Sequence, residues 1–318
     1  MQNTAIQVQK LQGVYTALMT PMHAPEEGKI KGEVDYEKLD MLIEDQIAAG
    51  VQGILACGTT GQSATLDYDE HINLVERIFY RISGRVQLMA SAGTNDTERA
   101  VHLTQGIERR IGPTTFLHVT GYYNNPPQEG LIAHFETIAR HLVYPESNIV
   151  LYNVPGRTKS NIEAKTAIEL AQHPKIIGVK EASGDLEQVK AIIEGTDPDQ
   201  FRIISGEDNI VDKIVAMGGF GVISATANIG PAYFKRMVQT ALGGNHEEAA
   251  RMQEYIGPLV KAVFAAKNPI PLAHIFNTDV RLPLVKLPGL HECIMRKVMM
   301  YSPEELGISL ADYHRVRV

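Results

Sequence analysis

Cysteine is scarce in this sequence, which has only Cys57 and Cys293 among 318 residues. Cys57 ends an apolar run and Cys293 lies in a helical pattern, so we expect two free thiols in a reducing compartment rather than a disulfide. No apolar run approaches the roughly 20 residues that span a bilayer, and the N-terminal segment lacks the apolar centre of a signal peptide. The sequence therefore predicts a cytoplasmic protein that does not bind membranes.

Basic clusters and metal-binding motifs are absent as well. The net charge is −7, and there is no basic run with interleaved aromatic residues, so we expect no nucleic-acid partner. Neither an HExxH motif nor a carboxylate-rich loop with calcium spacing occurs, so we expect no metal site. Strand-linked GxGxxG and GxxxxGK motifs, which bind nucleotide phosphates, are also missing.

What the sequence does contain is a regular alternation of short β-branched runs with helical patterns. Between the runs, apolar residues recur at three-to-four spacing, as in Leu39, Leu42, Ile43 and Ile47. Eight strand–helix units predict the α/β class, as a (β/α)8 TIM barrel over residues 1–230 with an appended C-terminal helical region at 231–318. A doubly wound open sheet is the alternative fold, and the missing phosphate loops disfavour it. The predicted strands are 13–20, 53–58, 86–93, 114–121, 148–153, 176–182, 201–206 and 221–228.

In such a barrel, the chemistry lies at the carboxyl ends of the strands. The polar residues that fall there are Thr59 and Thr60 after the second strand, Tyr122 and Tyr123 after the fourth, Tyr152 and Arg157 after the fifth, Lys180 and Glu181 at the sixth, and Glu207 and Asp208 after the seventh. These residues are far apart in the sequence, and we expect them to meet around one mouth.

Lys180 is the most unusual of them, because it follows directly on a run that reads as a buried strand. Alternation along the strand puts Lys180 on the same face as Gly178 and Ile176, with Ile177 and Val179 on the other. The simpler interpretation is a strand-end lysine that reaches solvent along its stem. If Lys180 instead points into the barrel, burial lowers the pKa of its amine, which can then attack a ketone and form a Schiff base.

The neighbouring polar residues fit that chemistry, although each also has a structural interpretation. Tyr152, Thr60 and Tyr123 can form a hydrogen-bonded chain that carries protons, or the tyrosines can be packing residues. The Thr59–Thr60 turn can hold a carboxylate through its N–H groups and hydroxyls, or it can cap the next helix. Arg157 can grip a second carboxylate with its fork, or it can be an ordinary surface arginine.

Six motifs together resemble the dihydrodipicolinate synthase family of the N-acetylneuraminate lyase and class I aldolase superfamily. They are GTTGQSATL, GYYNNPPQEGL, LYNVPGRT, GVKEASGD, ISGED and GVISATAN. The resemblance covers about residues 12–300, and the motifs follow the family's order. It implies a homotetramer built as a dimer of tight dimers. It also implies a lyase that condenses pyruvate with L-aspartate 4-semialdehyde in diaminopimelate and lysine biosynthesis, without a metal or organic cofactor.

The resemblance also implies roles for individual residues. Lys180 would form the pyruvate Schiff base, and Tyr152, Thr60 and Tyr123 would carry protons, with Tyr123 entering the partner subunit's site. Thr59 and Thr60 would hold the pyruvate carboxylate and Arg157 that of the semialdehyde. Gly206 and Ile223 would line the site with their carbonyls.

Many family members also bind L-lysine as a feedback inhibitor at the dimer interface. The matching positions here are Ser63, Ala64, Tyr68, His71, Asn95, Arg99 and Tyr122. Arg99 stands where a glutamate commonly grips the lysine amine, and Tyr68 stands where histidine is common. Because a cation at Arg99 would repel a cationic ligand, we expect weak sensitivity to lysine or none.

Three alternatives to this function stay open at the level of the sequence. The first is another pyruvate-dependent Schiff-base aldolase of the superfamily, either N-acetylneuraminate lyase or a 2-keto-3-deoxy sugar acid aldolase. Arg157 disfavours the neuraminate lyase, whose comparable loop lacks that arginine. The second is an inactive barrel that acts as a scaffold, and the presence of Lys180 and Tyr152 disfavours it. The third is a phosphate-binding barrel enzyme, for which SGEDN and SATANIG are poor loops.

Overall fold

Eight parallel strands form a closed barrel in the computed structural model, which describes residues 5–315. Each strand pairs with its neighbours in chain order, and β1 closes the ring by pairing with β8, for example Val14 with Val222. The strands are β1 Gly13–Ala17, β2 Gly53–Ala56, β3 Gln87–Ser91, β4 Thr115–Val119, β5 Asn148–Asn153, β6 Ile176–Glu181, β7 Arg202–Ser205 and β8 Gly221–Ser224. The predicted (β/α)8 barrel is therefore confirmed.

Helices lie between the strands and continue beyond the last one. They are α1 Tyr36–Ala49, α2 Tyr68–Ile82, α3 Thr97–Ile111, α4 Gln128–Arg140, α5 Pro155–Thr158, α6 Ala164–Leu170, α7 Leu186–Gly195, α8 Val211–Ala216, α9 Pro231–Leu242, α10 His246–Val263, α11 Ile270–Ile275, α12 Leu290–Val298, α13 Pro303–Leu306 and α14 Leu310–Arg315. Among the described residues, no helix has the length and apolar character needed to cross a membrane.

Aspartates fix where several of the helices begin. The side chains of Asp35, Asp67, Asp96 and Asp185 each accept a hydrogen bond from a backbone N–H in the first turn of α1, α2, α3 and α7. Such caps satisfy donors that have no partner within the helix, and their charge suits the positive end of the helix dipole. The caps therefore set where each strand-to-helix loop ends.

The predicted strands are in the right places, and all but 148–153, which matches β5, extend too far at their carboxyl ends. The run at 221–228, for example, leaves the sheet after Ser224, and Thr226–Asn228 forms a 3-10 turn. Most of the extra residues are small or apolar, because the loops at this end are buried as well. Apolar character alone therefore did not mark the strand ends.

The predicted faces of β6 are partly wrong, because the pairing of β5 with β6 shifts by one residue between Ile149 and Val150. Val150 consequently lies opposite Gly178, and the additional residue in β6 breaks the alternation. Ile176 packs in the outer core between sheet and helices, whereas Ile177 packs in the barrel interior. The inward direction of Lys180 is nevertheless as expected.

Packed side chains close the amino-terminal end of the barrel. Tyr15, Leu55 and Met89 fill the interior together with residues of the other strands. Leu11, in the segment before β1, is fully buried against this layer. The barrel is consequently solid at one end, and its cavity lies at the carboxyl ends of the strands.

The last quarter of the chain packs onto the barrel rather than apart from it. Helix α9 follows β8 and contacts β1, β8, α1 and α8, which is the position of the barrel's eighth helix. The packing thus joins α9 to the barrel, and the division at residue 230 stays a prediction. Residues 1–4 and 316–318, which the predicted limits include, lie outside the described residues.

A segment after α11 returns across the loop between β2 and α2. The buried Arg281 donates two hydrogen bonds of 2.6 Å to the carboxylate of Glu70, and others to the backbone oxygens of Gly32 and Thr65. Its own N–H donates to the side-chain oxygen of Gln62 at 3.0 Å. The C-terminal region therefore holds the loop that follows β2 in place.

Both cysteines are free, with Cys57 buried and Cys293 exposed, as the sequence predicted.

Candidate active site

A cavity of about 1200 Å³ opens at the carboxyl ends of the strands. The predicted residues that line its inner part are Thr59, Thr60, Tyr152, Arg157, Lys180, Gly206 and Ile223. Those that line its outer part are Ser63, Ala64, Tyr68, His71, Asn95, Arg99 and Tyr122. The fold thus brings together around one mouth all of the predicted catalytic, substrate-binding and lysine-site residues except Tyr123.

Lys180 points into the barrel and is only 6% exposed. It lies opposite Tyr152 in the pairing of β5 with β6. Because paired residues of neighbouring strands face the same side, the Lys180 Nζ lies 4.4 Å from the centroid of the Tyr152 ring. Gly206 leaves room for the lysine, since a Cβ at that position would lie 3.1 Å from Lys180 Cε and 2.7 Å from Ala182 Cβ.

The surroundings lower the pKa of the Lys180 amine to about 8, mainly because burial disfavours the ammonium form. The carboxylates of Asp208 and Glu207 oppose that shift, and the guanidinium of Arg157 adds to it. Burial also raises the pKa of the Tyr152 hydroxyl to about 12, so it holds its proton at neutral pH. The site therefore combines a partly neutral amine with a protonated tyrosine.

The two threonines after β2 have different partners from those expected. The Thr59 side chain lies close enough to the Tyr152 hydroxyl to lower its pKa, whereas the proton relay predicted from the sequence ran through Thr60. The buried Thr60 hydroxyl instead accepts a hydrogen bond of 2.8 Å from Asn268 Nδ2. Thr59 is thus the threonine of this turn that stands next to the tyrosine.

Arg157 lies on the short helix α5 at the rim of the cavity, and its side chain is exposed. One of its N–H groups donates to the backbone oxygen of Asn268 at 3.4 Å. This single contact leaves the other donors of its guanidinium fork available to a carboxylate that enters the cavity.

The acidic residues near Lys180 divide into two groups. Glu181 is buried on the far side of β6, where it accepts hydrogen bonds from Asn153, Ser183 and Gln188. Glu207 lines the cavity, and the adjacent Asp208 is 2% exposed. Among the described residues, no three His, Cys, Asp or Glu side chains are grouped so that they could hold a metal ion.

Sequence reasoning missed two residues that belong to this site. Asp208 acts on the charge of Lys180, and its carboxylate accepts two hydrogen bonds from Thr226, at 2.8 and 2.6 Å. The sequence placed Asp208 after the seventh strand but gave it no role in the chemistry. Asn268 contacts both Thr60 and Arg157 from the loop before α11. No pattern in the sequence connects that loop with the barrel mouth.

Tyr123 lies apart from the other predicted site residues of its own chain. It is 90% exposed and has a left-handed backbone, with φ of +73°, and it does not line the cavity. A bulky residue in that conformation is uncommon and is held by its surroundings. Here the Tyr123 N–H donates to the Thr158 oxygen at 3.4 Å. The exposed ring thus lies outside the cavity of its own chain.

The outer part of the cavity carries positive charge. Arg99 and Arg109 both line it. The Arg99 side chain is exposed and forms no ion pair with a described residue. The acidic Asp67 also lines this part, but its carboxylate caps α2 and pairs with Lys31.

Comparisons with known proteins agree with this geometry. The model of the Dihydrodipicolinate synthetase family matches residues 10–287. A 4-hydroxy-tetrahydrodipicolinate synthase of Cellvibrio japonicus is 41% identical, over 92% of this chain and 99% of the relative. A dihydrodipicolinate synthase of Acinetobacter baumannii, complexed with pyruvate, superposes with a TM-score of 0.84 at 33% identity, over 94% and 100% of the two chains. A synthase of Cyanidioschyzon merolae with lysine bound gives 0.83 at 35% identity, over 92% and 98%.

Proposed function

Because this chain belongs to the dihydrodipicolinate synthetase family, we propose that it is a 4-hydroxy-tetrahydrodipicolinate synthase. Its reaction is the condensation of pyruvate with L-aspartate 4-semialdehyde. The observation that carries the proposal is the Lys180 amine, which is buried at the barrel mouth beside Tyr152 with its pKa lowered to about 8. A scaffold protein has no use for a buried amine of this kind, since burying an ammonium without a close ion pair costs free energy.

The reaction begins when the neutral Lys180 amine attacks the ketone carbon of pyruvate. The ketone oxygen leaves as water, and a protonated imine on Lys180 remains. The imine withdraws electrons, so a proton leaves the methyl carbon and an enamine forms. That carbon then bonds to the aldehyde carbon of the semialdehyde, whose oxygen takes up a proton. The amino group of the second substrate finally displaces Lys180 and closes the ring, so no metal or organic cofactor is required.

Tyr152 is placed to move the protons that these steps require. Its ring lies against the Lys180 amine, and its hydroxyl contacts Thr59. With its pKa raised to about 12, the hydroxyl is present as the acid form that protonates the departing oxygen. In this scheme Tyr123 of a second subunit completes the chain, and Thr59 takes the place that the sequence analysis gave to Thr60.

Two groups hold the carboxylates of the substrates. The turn at Thr59 and Thr60 offers backbone N–H groups to pyruvate, while Arg157 at the rim offers its free donors to the semialdehyde. Gly206 and Ile223 line the space between them. Since Arg157 suits a small substrate that carries a carboxylate, it favours the semialdehyde over a sugar aldehyde.

The protein then works as a cytoplasmic homotetramer of two tight dimers. Two free cysteines are consistent with a reducing compartment. The exposed Tyr123, which lies outside its own cavity, is accounted for if a second copy receives it. In this assembly, the residues around Arg99 lie where family members bind L-lysine. Their positive charge favours an enzyme that lysine does not inhibit.

The test is to measure initial rates of pyruvate consumption with two partners in parallel, L-aspartate 4-semialdehyde and N-acetylmannosamine. Turnover with the semialdehyde alone is expected, and turnover with the sugar alone would move the protein to the lyase branch. Borohydride should trap pyruvate covalently on the wild-type chain but not on Lys180→Ala. A trapped adduct on Lys180→Ala would refute the role of Lys180.

A further inference from the structure

Asn268 joins the two parts of the site that are proposed to bind carboxylates. Its Nδ2 donates to Thr60 Oγ1 at 2.8 Å, and its backbone oxygen accepts from Arg157 Nη2 at 3.4 Å. The residue is 7% exposed and lines the cavity. It belongs to the C-terminal region, 208 positions away from Thr60 in the sequence. A single residue thus contacts both the turn after β2 and the arginine after β5.

The Asn268 amide depends on Thr60 for its orientation. Its Oδ1 is shielded from solvent and has no hydrogen-bond partner among the described residues. Within residues 5–315, the bond to Thr60 is therefore the only polar contact that holds the side chain. Because an amide nitrogen can only donate, it occupies a lone pair of the Thr60 oxygen and leaves that hydroxyl free to donate elsewhere.

The turn that carries Thr60 has a strained backbone and needs support from outside. Cys57 and Gln62, on either side of it, both have left-handed backbones, with φ of +53° and +57°. Gly61 packs so tightly that a Cβ there would lie 3.1 Å from the Leu18 oxygen. Such conformations persist only where neighbouring groups hold them. The Asn268 side chain is one of these neighbouring groups, and it bonds directly to Thr60, which is proposed to bind substrate.

We infer that Asn268 is a positioning residue for pyruvate, because its side chain fixes the Thr59–Thr60 turn against the rim at Arg157. The inference rests on the proposed function, since it takes this turn as the pyruvate carboxylate site. Loss of the amide leaves the backbone contact to Arg157 in place. The effect should therefore fall on pyruvate rather than on the semialdehyde.

The experiment is a double-mutant cycle on the two ends of the bond, Asn268→Ala and Thr60→Val. The measured quantity is the pyruvate concentration that half-saturates the borohydride-trapped adduct. Each single variant should raise it about 5- to 10-fold, as expected for one hydrogen bond. The double variant should need no more pyruvate for half-saturation than the single variant with the larger effect, because both changes remove the same contact. The KM for the semialdehyde should change less than 2-fold.

Asn268→Asp tests the direction of the bond with almost no change of shape. A carboxylate can still accept from the Thr60 hydroxyl, but it puts a negative charge beside the carboxylate site. Half-saturation should then require more pyruvate than in Asn268→Ala, by about 10-fold or more. Asn73→Ala is the matched control, because Asn73 is exposed on α2 and outside the cavity, and it should leave pyruvate binding unchanged.

Three outcomes would overturn the inference. They are an unchanged pyruvate dependence in Asn268→Ala, additive effects in the double variant, or an equal rise in the semialdehyde KM. Circular dichroism shows whether Asn268→Ala folds. If it does not fold, Thr60→Val tests the same bond from its other end. A wild-type chain that traps no pyruvate would overturn the proposed function itself, and this inference with it.

Discussion

Lys180 and Asp208 are two buried groups whose charges depend on each other. Burial lowers the pKa of the lysine to about 8, and the carboxylates of Asp208 and Glu207 act in the opposite direction. Burial raises the pKa of Asp208 itself, while hydrogen bonds from Thr226 and the charge of Lys180 limit that rise. The Lys180 amine is thus partly neutral near pH 7, and its carboxylate neighbours favour the positive imine of the proposed reaction.

Adduct formation should consequently increase as the pH rises through about 8, because only the neutral amine attacks the ketone. Asp208→Asn removes a charge that raises the lysine pKa, so the midpoint should move to lower pH. At the same time the imine loses a nearby negative charge, so kcat should fall roughly 10-fold or more. The measurement is the pH dependence of the borohydride-trapped adduct, together with kcat.

Glu207→Gln is the control for this experiment, since Glu207 has the smaller influence on Lys180. We expect a shift in the same direction but of smaller size. An unshifted midpoint in Asp208→Asn would mean that Asp208 carries no charge in the free enzyme, and the paired-charge interpretation would be wrong.

The residues of the site differ in how far the sequence could reveal them. Lys180 could be found because a charged residue at the end of an apolar strand is rare, and Tyr152 because it ends the neighbouring strand. Asn268 could not, because its role depends on a contact with Thr60 across 208 positions. Which of Thr59 and Thr60 stands next to Tyr152 depends on the backbone conformation of one turn, and residue types do not specify that conformation.

At the scale of secondary structure elements, the loop between β2 and α2 is fixed by the segment that follows α11. The buried fork of Arg281 on Glu70 and the contacts to Gln62 and Thr65 give that segment several points of attachment. The side-chain oxygen of Gln62 accepts a hydrogen bond from the backbone N–H of Arg281.

Arg281→Ala should therefore destabilise the protein far more than the loss of a surface ion pair. It removes both guanidinium donors from the largely buried Glu70 carboxylate, which keeps a 3.3 Å contact with Lys31, and it takes a donor from two backbone oxygens, at a cost of about 3 kcal/mol or more. The measurement is the shift in the urea midpoint of unfolding.

Arg110→Ala is the matched control, because Arg110 forms a 2.8 Å pair with Glu76 while its side chain is 51% exposed. That variant should lose less than about 1 kcal/mol. Equal losses in the two variants would show that the Arg281 fork contributes no more than a surface pair.

The order of the elements followed from the sequence more easily than the register of the strands. Eight apolar runs separated by helical stripes lead to a barrel, because each unit must bury its apolar face against the next. The irregularity in β6 did not follow, because a bulge is defined by the pairing of β5 with β6 and not by the residues of β6 alone. The strand limits failed for a related reason, since buried loops are as apolar as strands.

At the scale of the whole molecule, the cavity of one chain lacks one of the groups proposed for the reaction, the tyrosine at position 123. Tyr123 is exposed and lies outside the cavity of its own subunit. In a symmetric dimer, each subunit can give its Tyr123 to the other.

Two inactive variants should therefore restore activity when their subunits are mixed. In a hybrid of Tyr123→Phe with Lys180→Ala, one site keeps both native residues and the other keeps neither. Random mixing should give about a quarter of the wild-type rate, because half of the dimers are hybrids with one complete site of two. The test is to measure the rate after the two variants are unfolded and refolded together. No recovery, with dimers present, would mean that Tyr123 serves its own subunit or none.

The charge of the outer cavity predicts the response to L-lysine. We expect no inhibition of the wild-type protein by submillimolar L-lysine, because Arg99 repels the ammonium groups of the ligand. Arg99→Glu should introduce inhibition, because a carboxylate at that position can accept from an ammonium group. Initial rates with increasing L-lysine measure both effects. Lys165→Glu on the exposed face of α6 is the control for the change of charge alone, and it should stay insensitive.

The pairing of β1 with β8 determines when the barrel can close during synthesis of the chain. Strand β1 is made among the first residues, yet one of its edges stays open until Gly221–Ser224 has emerged from the ribosome. An open strand edge is a template for wrong pairing. Even after the ring closes, the turn at Thr60 waits for Asn268. The nascent chain therefore can close the barrel before its substrate site is complete. A chain that ends between β8 and Asn268 should form a barrel that binds pyruvate weakly.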